Sequence, residues 1–375
     1  MDFSLNDIQS MLLDSVQKFI NNDYDFDKRQ SYSDSEQGFS SEVWTTFAEL
    51  GWTAIPFDEE DGGIGGGPVD LMIVMEQFGR GMIVEPYLAN IVLAGGVLRR
   101  VATTEQKSRW LEPLIGGELQ AALAFVEPQG RYDIANVATS ASKEGDDWVI
   151  NGSKSVVFNG GNAGLLIVPA RTSGEQSNTD GITLFAVETG ADGVNIQSYK
   201  TVDGHQAADI SFDGVKLPDT NRLGNVDGGF AVLDAVIDDA TLAVCAEAVG
   251  IMRILTEKTV EYSKNRVQFG VPIGSFQALQ HRMVDMFTAC EQTYSLLVWA
   301  SMTASAGGDD AKRAVSSIKY QVGTAGRKVG EEAVQLHGGM GVTWELDVAH
   351  YFKRLTAIGQ ILGNADLHLD RLAAG

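Results

Sequence analysis

Glu247 is a carboxylic acid in a stripe of small and apolar residues on one face of a long helical segment. A carboxyl group in such surroundings is expected to be buried or to face a cleft, and burial disfavours its charged form. That setting suits a general base, so we predict that Glu247 is catalytic. The alternative is a structural acid paired with Arg or Lys from another helix. The neighbours on the same face are Ala240, Ala243, Val244, Gly250, Ile251 and Ile254.

A second candidate site is the segment AVQLHGGMGVTWE, residues 333–345, in which glycines follow a run of helix formers. Gly338 and Gly339 leave the backbone bare, which permits close approach of a ligand or another chain. Glu345 ends the segment, and we interpret it as an acid at a helix N-terminus, where the helix dipole favours negative charge.

A third candidate is NRVQFGVPIGSFQALQHR, residues 265–282, which lies at the end of the long helical segment. Arg266 carries a permanently charged planar group that can bind phosphate oxygens with two hydrogen bonds. His281 and His337 have no Cys or His at metal-binding spacing, so we expect no metal site.

The elements that position these residues fall into three segments. Residues 1–118 show helical periodicity, residues 119–228 contain short β-rich runs bounded by Gly, Asn and Asp, and residues 229–375 are again helical. We predict an α+β protein with an N-terminal helical domain, a middle β-barrel or sandwich domain, and a C-terminal domain resembling a four-helix bundle.

Bulk composition limits the functional classes. The formal net charge is −22 over 375 residues, which argues against nucleic acid and anionic membranes as general partners. The two cysteines, Cys245 and Cys290, lie in apolar helical pattern and predict a reducing compartment, the cytoplasm, without a disulfide. No basic leader is visible, and no apolar run approaches the ~20 residues of a membrane span.

The whole chain resembles the acyl-CoA dehydrogenase family, and three motifs carry the resemblance. Residues 265–282 are similar to its R-x-x-F-G segment followed by F-Q, and residues 333–345 to its Q-x-x-G-G-x-G segment. INGSKSVVFNG, residues 150–160, is similar to its N-G-x-K strand pair. The resemblance implies FAD, an acyl-CoA substrate, an electron-transfer flavoprotein as acceptor, and a homo- or hetero-tetramer.

The resemblance also implies which residues contact FAD. The glycine pair of one subunit would meet the FAD of its neighbour, and Arg266 would contact the pyrophosphate. The other residues that match FAD-contact positions in these two segments are Gln268, Phe269, Gln277, Gln335, Gly338 and Gly339.

The middle segment departs from the family pattern. FVEPQGRYD, residues 125–133, stands where the family has a T-E-P-G-A-G-S-D type loop, so Val126 replaces a hydroxyl residue beside the flavin ring. Phe158 replaces a second one. Backbone groups of Val126 and Val157 would still reach the ring edges. Arg131 and Tyr132 replace small residues, which indicates an altered acyl-CoA entrance.

At the two positions where members of the family carry the catalytic base, this chain has no acidic residue. The commonest position corresponds to Leu362, and the position used by other members corresponds to Ala240. At about 100° per residue, Glu247 lies within roughly 20° of Ala240 on the helix, two turns along. It therefore substitutes for the missing base in our interpretation, and Asp239 is the second candidate.

Two functional hypotheses follow. The first is an FAD-dependent acyl-CoA dehydrogenase in which a glutamate removes the α-proton and flavin N5 accepts hydride from the β-carbon. Its product would be a 2-enoyl-CoA, as in β-oxidation and related lipid metabolism. The replaced flavin-side residues resemble a branch that forms heterotetramers on bulky acyl-CoAs such as steroid side chains. The second hypothesis is therefore a non-catalytic partner subunit that completes the FAD site of its neighbour.

Overall fold

The computed structural model describes residues 4–374. The first segment is helical, as its periodicity predicts, and Asn6 opens it with a capping box in which its side chain accepts from Gln9 N–H. The helices are α1 (Asp7–Asp23), α2 (Phe26–Asp34), α3 (Ser41–Glu49), α4 (Pro68–Gly81), α5 (Gly95–Val101), α6 (Thr104–Gln106) and α7 (Glu112–Ile115), with 3₁₀ turns at Trp52–Ala54 and Glu59–Asp61 and π-helical stretches at Leu88–Ala94 and Lys107–Leu111.

The middle segment forms one sheet of eight strands. These are β1 (Ala121–Leu123), β2 (Ser140–Glu144), β3 (Asp147–Phe158), β4 (Leu165–Arg171), β5 (Ile182–Glu188), β6 (Val194–Lys200), β7 (Gln206–Pro218) and β8 (Arg222–Leu223), with a 3₁₀ turn at Asp219–Asn221. Their order is β6-β7-β3-β2-β4-β5-β8, and β1 pairs with β4 in parallel. The strands enclose one cluster of buried apolar side chains, which includes Trp148, Phe185 and Phe212.

The last segment returns to long helices, as predicted. They are α8 (Gly229–Asn265), α9 (Gln277–Ala306), α10 (Asp309–His337), α11 (Asp347–Ile358) and α12 (Ala365–Ala374). A hairpin of β9 (Val267–Gln268) and β10 (Val271–Pro272), with a 3₁₀ turn at Ile273–Ser275, links α8 to α9, and a 3₁₀ turn at Gly338–Val342 follows α10. The α+β arrangement of helical, β and helical segments is therefore confirmed.

A close crossing of α4 and α8 explains why Gly250 lies inside a long helix. A Cβ atom on Gly250 would lie 1.9 Å from the carbonyl oxygen of Glu76, and one on Gly79 would lie 2.0 Å from that of Glu247. Each glycine thus admits the backbone of the other helix, and a larger residue at either position would push the helices apart. Gly250 does not interrupt α8.

The described residues group into two compact units. The first contains residues up to Ser31, residues 67–83 and residues from Thr241 onward, and the second contains Tyr32–Gly66 and Val84–Ala240. The division into domains at residues 118/119 and 228/229 stays a prediction. Within residues 4–374, no helix combines the length and apolar character needed to cross a membrane.

Candidate active site

The hairpin after α8 presents its side chains outward. Phe269 and Gly270 form its two-residue turn, both with positive φ (53° and 82°), as the tight hairpin turn between antiparallel strands requires. Phe269 is 93% exposed and packs edge-on against Phe276 at 6.2 Å between ring centroids. Arg266 and Gln268 are exposed on the same hairpin, and Gln277 is exposed at the first position of α9.

The glycine segment separates into an open part and a packed part. Gln335, Gly338 and Gly339 are exposed, and a Cβ added to either glycine would meet no described atom within 4 Å. Gly341 is buried, and a Cβ added there would lie 2.5 Å from the carbonyl oxygen of Val334. Packing within this chain therefore requires glycine at position 341. It does not require glycine at position 339, where an added Cβ would meet no described atom within 4 Å.

The C-terminal ends of α8 and α10 bring the hairpin and the glycine segment close together. The ring of Tyr262, near the end of α8, lies 4.4 Å from that of His337 at the end of α10. The His337 Nδ1 is 2.8 Å from the Ala333 carbonyl oxygen, and burial lowers the pKa of His337, which keeps the ring neutral near pH 7. Arg282 on α9 and Glu332 on α10 form an ion pair of 2.5 Å.

The acid of the glycine segment is not the one that begins the next helix. Glu345 is exposed and lies two residues before α11, whose first-turn acid is Asp347. Asp347 forms an ion pair of 2.8 Å with Lys258 of α8. The N-terminal acid expected at Glu345 is therefore supplied by Asp347.

Glu247 lies where its stripe predicts, buried in α8, but it has a charged partner. Arg354 on α11 donates from Nε to Oε1 at 2.5 Å and from Nη2 to Oε2 at 2.7 Å. Both side chains are less than a tenth exposed. This is the paired arrangement that the sequence left as the alternative, and the role of Glu247 as a base stays a prediction.

Asp239, the second candidate, is also paired. Its Oδ2 accepts hydrogen bonds from Nη2 of Arg99 and of Arg100, each at 2.7 Å. Desolvation, followed by repulsion from Arg100, lowers the pKa of Arg99. The structure therefore gives Asp239 a pairing role with two arginines, and its role as a base stays a prediction.

The position of the family's commonest base lies in a turn between α11 and α12. Leu362 there is half-buried and has a positive φ of 58°, which is rare for a residue with a branched side chain. Lys319 of α10 is fully buried, and its Nζ donates to the carbonyl oxygens of Ile358 at 2.8 Å and Gly363 at 2.7 Å. Sequence reasoning missed Lys319. Its only signal in the sequence was a single Lys between Ile318 and Tyr320 in SSIKYQV.

A buried ion pair fixes the loop that carries Val126. The carboxylate of Glu127 accepts from Nζ of Lys154 at 2.6 Å and from the backbone N–H of Ala138 at 2.8 Å. The side chains of Glu127 and Lys154 are 2% and 0% exposed. Val126 itself is half-buried, and its carbonyl oxygen accepts from Ser155 N–H at 2.9 Å. The N-G-x-K motif thus has a structural function that sequence reasoning did not assign.

Val157 and Phe158 end β3 beyond an irregularity in its pairing. The register with β7 shifts between Lys154 and Val157, and Val156 within the shift has a positive φ of 51°. The Val157 side chain is buried in the sheet's apolar cluster, whereas Phe158 is half-buried opposite Ala207. Their backbone contacts with a flavin stay a prediction.

The exposed groups of the hairpin and the glycine segment fit the adenosine diphosphate part of FAD. They combine a permanent cation at Arg266, exposed aromatic surface at Phe269, and backbone at Gly339 that a ligand can approach. Val126 and Phe158 of the middle segment have no side-chain hydroxyl, so hydrogen bonds from these positions to a flavin ring would have to come from the backbone.

Comparison with known proteins gives matches over the whole chain. Residues 6–118, 122–215 and 227–375 match the models of the N-terminal, middle and C-terminal domains of acyl-CoA dehydrogenases. The short-chain specific acyl-CoA dehydrogenase of Megasphaera elsdenii is 31% identical over 94% of both chains. The acryloyl-CoA reductase (NADH) of Anaerotignum propionicum is 30% identical over 98% of this chain and 94% of that protein. The FAD complex of PigA has a TM-score of 0.93, 27% identity, and coverage of 100% and 98% of the two chains.

Proposed function

This chain belongs to the acyl-CoA dehydrogenase family, and on that premise we propose that it oxidises the Cα–Cβ bond of an acyl-CoA thioester to a 2-enoyl-CoA. It is an FAD-dependent oxidoreductase acting on CH–CH bonds. FAD, when bound, supplies the acceptor for the hydride of the β-carbon. The observation that carries the proposal is the combined exposure of Arg266, Phe269 and Gly339, which are brought to one end of the long helices.

In this mechanism the residues of the chain bind FAD and hold the backbone groups around it in position. The guanidinium of Arg266 neutralises pyrophosphate charge, and the exposed backbone at Gly338 and Gly339 lets that group approach without a side chain between. The Glu127–Lys154 ion pair holds the Val126 loop against β3, so backbone groups near the flavin keep a fixed position.

Removal of the α-proton needs an acceptor within hydrogen-bond reach of that carbon. Leu362 cannot accept a proton, so the carboxylate of Glu247 is the acceptor of the α-proton in this proposal; each of its oxygens accepts one hydrogen bond from Arg354 and keeps a second lone pair. The buried, bidentate pairing with Arg354 also supports a structural role for Glu247, and mutation separates the two roles.

We also propose that the chain works as an oligomer. Phe269 and Val267 expose 93% and 53% of their surface on the hairpin, and Met340, Val342 and Trp344 are at least half exposed after α10. Apolar surface of this kind on both motif segments is typical of contact with another chain. An electron-transfer flavoprotein is the acceptor that the family resemblance implies.

The test is to purify the chain alone and to record its absorbance spectrum. We expect a bound flavin whose absorbance near 450 nm is bleached under anaerobic conditions by members of a panel of short, long, aryl and ring-containing acyl-CoAs. A flavin that no thioester bleaches, together with turnover only after co-expression with a second subunit, would instead support the partner-subunit hypothesis. The enzyme relatives reported above do not favour that second hypothesis.

A further inference from the structure

Three helices of the first compact unit meet around Glu247. The backbone of α4 lies directly against this residue, because a Cβ atom on Gly79 would lie 3.1 Å from the Glu247 Cα and 2.0 Å from its carbonyl oxygen. Arg354 on α11 holds the carboxylate at the other end of the side chain with two hydrogen bonds. Helix α4 therefore limits where the backbone of Glu247 can lie, and α11 limits where its carboxylate can point.

A buried tyrosine joins the two helices that contact Glu247. Tyr351 lies one turn before Arg354 on α11, and its hydroxyl donates to the carbonyl oxygen of Arg80 at 2.5 Å. Arg80 follows Gly79 directly and lies in the last turn of α4, where carbonyl groups have no partner within the helix. The contacts thus form a closed ring, from α4 to α8, from α8 to α11, and from α11 back to α4.

The Tyr351 hydroxyl is a stable donor for this contact. Its side chain is 5% exposed, and burial raises the pKa of the phenol, so the phenol keeps its proton. A buried hydroxyl without an acceptor would lose the hydrogen bond that it makes with water in the unfolded chain. The bond therefore favours the arrangement in which α11, with Arg354, stays against the end of α4.

Two ion pairs keep α4 in register along α8. Arg253 on α8 pairs with Glu76 at 2.8 Å, and Glu257, one turn further along α8, pairs with Arg80 at 2.8 Å. Glu76 and Arg80 lie one turn apart on α4, so sliding one helix along the other would break both pairs. The end of α4 is therefore a fixed support to which Tyr351 can tie α11.

We propose that Tyr351 is a positioning residue for the carboxylate of Glu247, and that it acts by tying α11, which carries Arg354, to the end of α4. This inference rests on the proposed function, in which Glu247 accepts the α-proton. Loss of the tie lets α11 shift, and Arg354 then moves the carboxylate to which it is bound. Proton transfer needs its acceptor within hydrogen-bond reach, so the rate of proton removal falls while the affinity for the thioester is retained.

The first test compares Tyr351→Phe with Tyr87→Phe in the flavin-loaded enzyme. Tyr87 is a matched control from the other compact unit, because it is 1% exposed and its hydroxyl also donates to a backbone carbonyl, that of Trp52, at 2.7 Å. Each variant loses one buried hydrogen bond and keeps the aromatic ring. Anaerobic stopped-flow measurement with an acyl-CoA that bleaches the wild type gives the rate constant of bleaching and the Kd of the thioester.

We expect Tyr351→Phe to lower the rate constant at saturating thioester by about fivefold or more, with Kd within about twofold of the wild type. Tyr87→Phe should leave both quantities unchanged, although it loses stability in the same way. A thioester deuterated at the α-carbon should show a larger isotope effect in Tyr351→Phe than in the wild type, because proton removal has become slower relative to the other steps. Equal rate constants in the wild type and both variants overturn the inference.

The second test does not depend on turnover. Urea unfolding of the wild type, Tyr351→Phe, Glu247→Gln and the double variant measures the coupling between the hydroxyl and the carboxylate. We expect the effect of the double variant on the unfolding equilibrium constant to differ by about fivefold or more from the product of the single effects, because the ring of contacts joins the two sites. The same cycle with Tyr87→Phe should show no coupling. Absence of coupling for Tyr351→Phe overturns the inference.

The two tests separate failure of this inference from failure of the proposed function. If the wild type is bleached and Tyr351→Phe is bleached equally fast, the proposed function stands and the positioning role is refuted. If no acyl-CoA bleaches the wild type, the proposed function is refuted and the positioning role falls with it, whatever coupling the unfolding cycle shows.

Discussion

Both carboxylate oxygens of Glu247 accept hydrogen bonds from the guanidinium of Arg354, at 2.5 and 2.7 Å, inside the packing of α8 against α11. A pair of this geometry is difficult to break, because removing either member leaves an unpaired charge out of contact with water. The acid in the apolar stripe of α8 is thus accounted for by its neighbour, and the two roles considered for it can be separated by mutation.

Glu247→Gln should lower the free energy of unfolding by about 3 kcal/mol, because Arg354 then lacks its counter-charge in a buried position. The double variant Glu247→Gln/Arg354→Met should recover a large part of that loss, since no unpaired charge remains. Urea unfolding of the wild type, both single variants and the double variant gives the interaction energy directly.

Glu257→Gln is the matched control, because Glu257 lies on the same helix and pairs with Arg80 at 2.8 Å but is 56% exposed. Its loss should stay below about 1 kcal/mol. If Glu247→Gln keeps full stability and full flavin content but loses turnover by a factor of a thousand or more, the structural role is wrong and the predicted role as base is restored.

Gly339→Ala should weaken FAD binding about tenfold while leaving the stability of the flavin-free chain unchanged. The added Cβ meets no described atom of this chain within 4 Å, so any cost arises from a bound group or another subunit. Fluorescence titration of the apoprotein with FAD measures the effect. Gly341→Ala is the contrasting variant and should destabilise the chain itself, since its Cβ would lie 2.5 Å from the Val334 carbonyl. Unaltered FAD affinity in Gly339→Ala would remove the glycine pair from the site.

Val126→Thr should tighten FAD binding about fivefold. The substitution keeps the shape of the half-buried side chain and adds a hydroxyl, and one additional hydrogen bond is worth about 1 kcal/mol. Val137→Thr is the control, because Val137 is 1% exposed and a hydroxyl there should reduce stability without affecting flavin. Equal FAD affinity of Val126→Thr and wild type would show that this position does not contact the ring.

Folding stability should fall as the pH decreases from about 6.5 to about 4 because of His368. Burial lowers the pKa of His368 in the folded chain to about 4, whereas it is 6.5 in the unfolded chain. Between these values the unfolded chain binds a proton that the folded chain does not, so acid favours unfolding, by about 3 kcal/mol at the lower limit. Urea unfolding at several pH values should show this dependence diminished in His368→Gln but retained in the control His281→Gln, whose position is exposed. An identical pH dependence of His368→Gln and wild type would contradict the expectation.

The sequence by itself determined the order of helical, β and helical segments and the family. Helices and strands space their apolar residues differently. Both spacings can be read from a short stretch of sequence without knowledge of the fold. Spacing also determined that Glu247 shares a face with small apolar residues and that Gly338 and Gly339 end a helix.

Only the tertiary structure decided what these residues face. Arg354 lies 107 positions from Glu247 in the chain, and Lys319 lies 39 positions from Ile358, so no local pattern indicates either partner. The close approach that requires glycine at position 250 is made by the backbone of α4, which no local pattern in α8 indicates. The free energy of a buried charge depends on which partner the packing of distant helices places beside it, and periodicity along one helix predicts burial without predicting that partner.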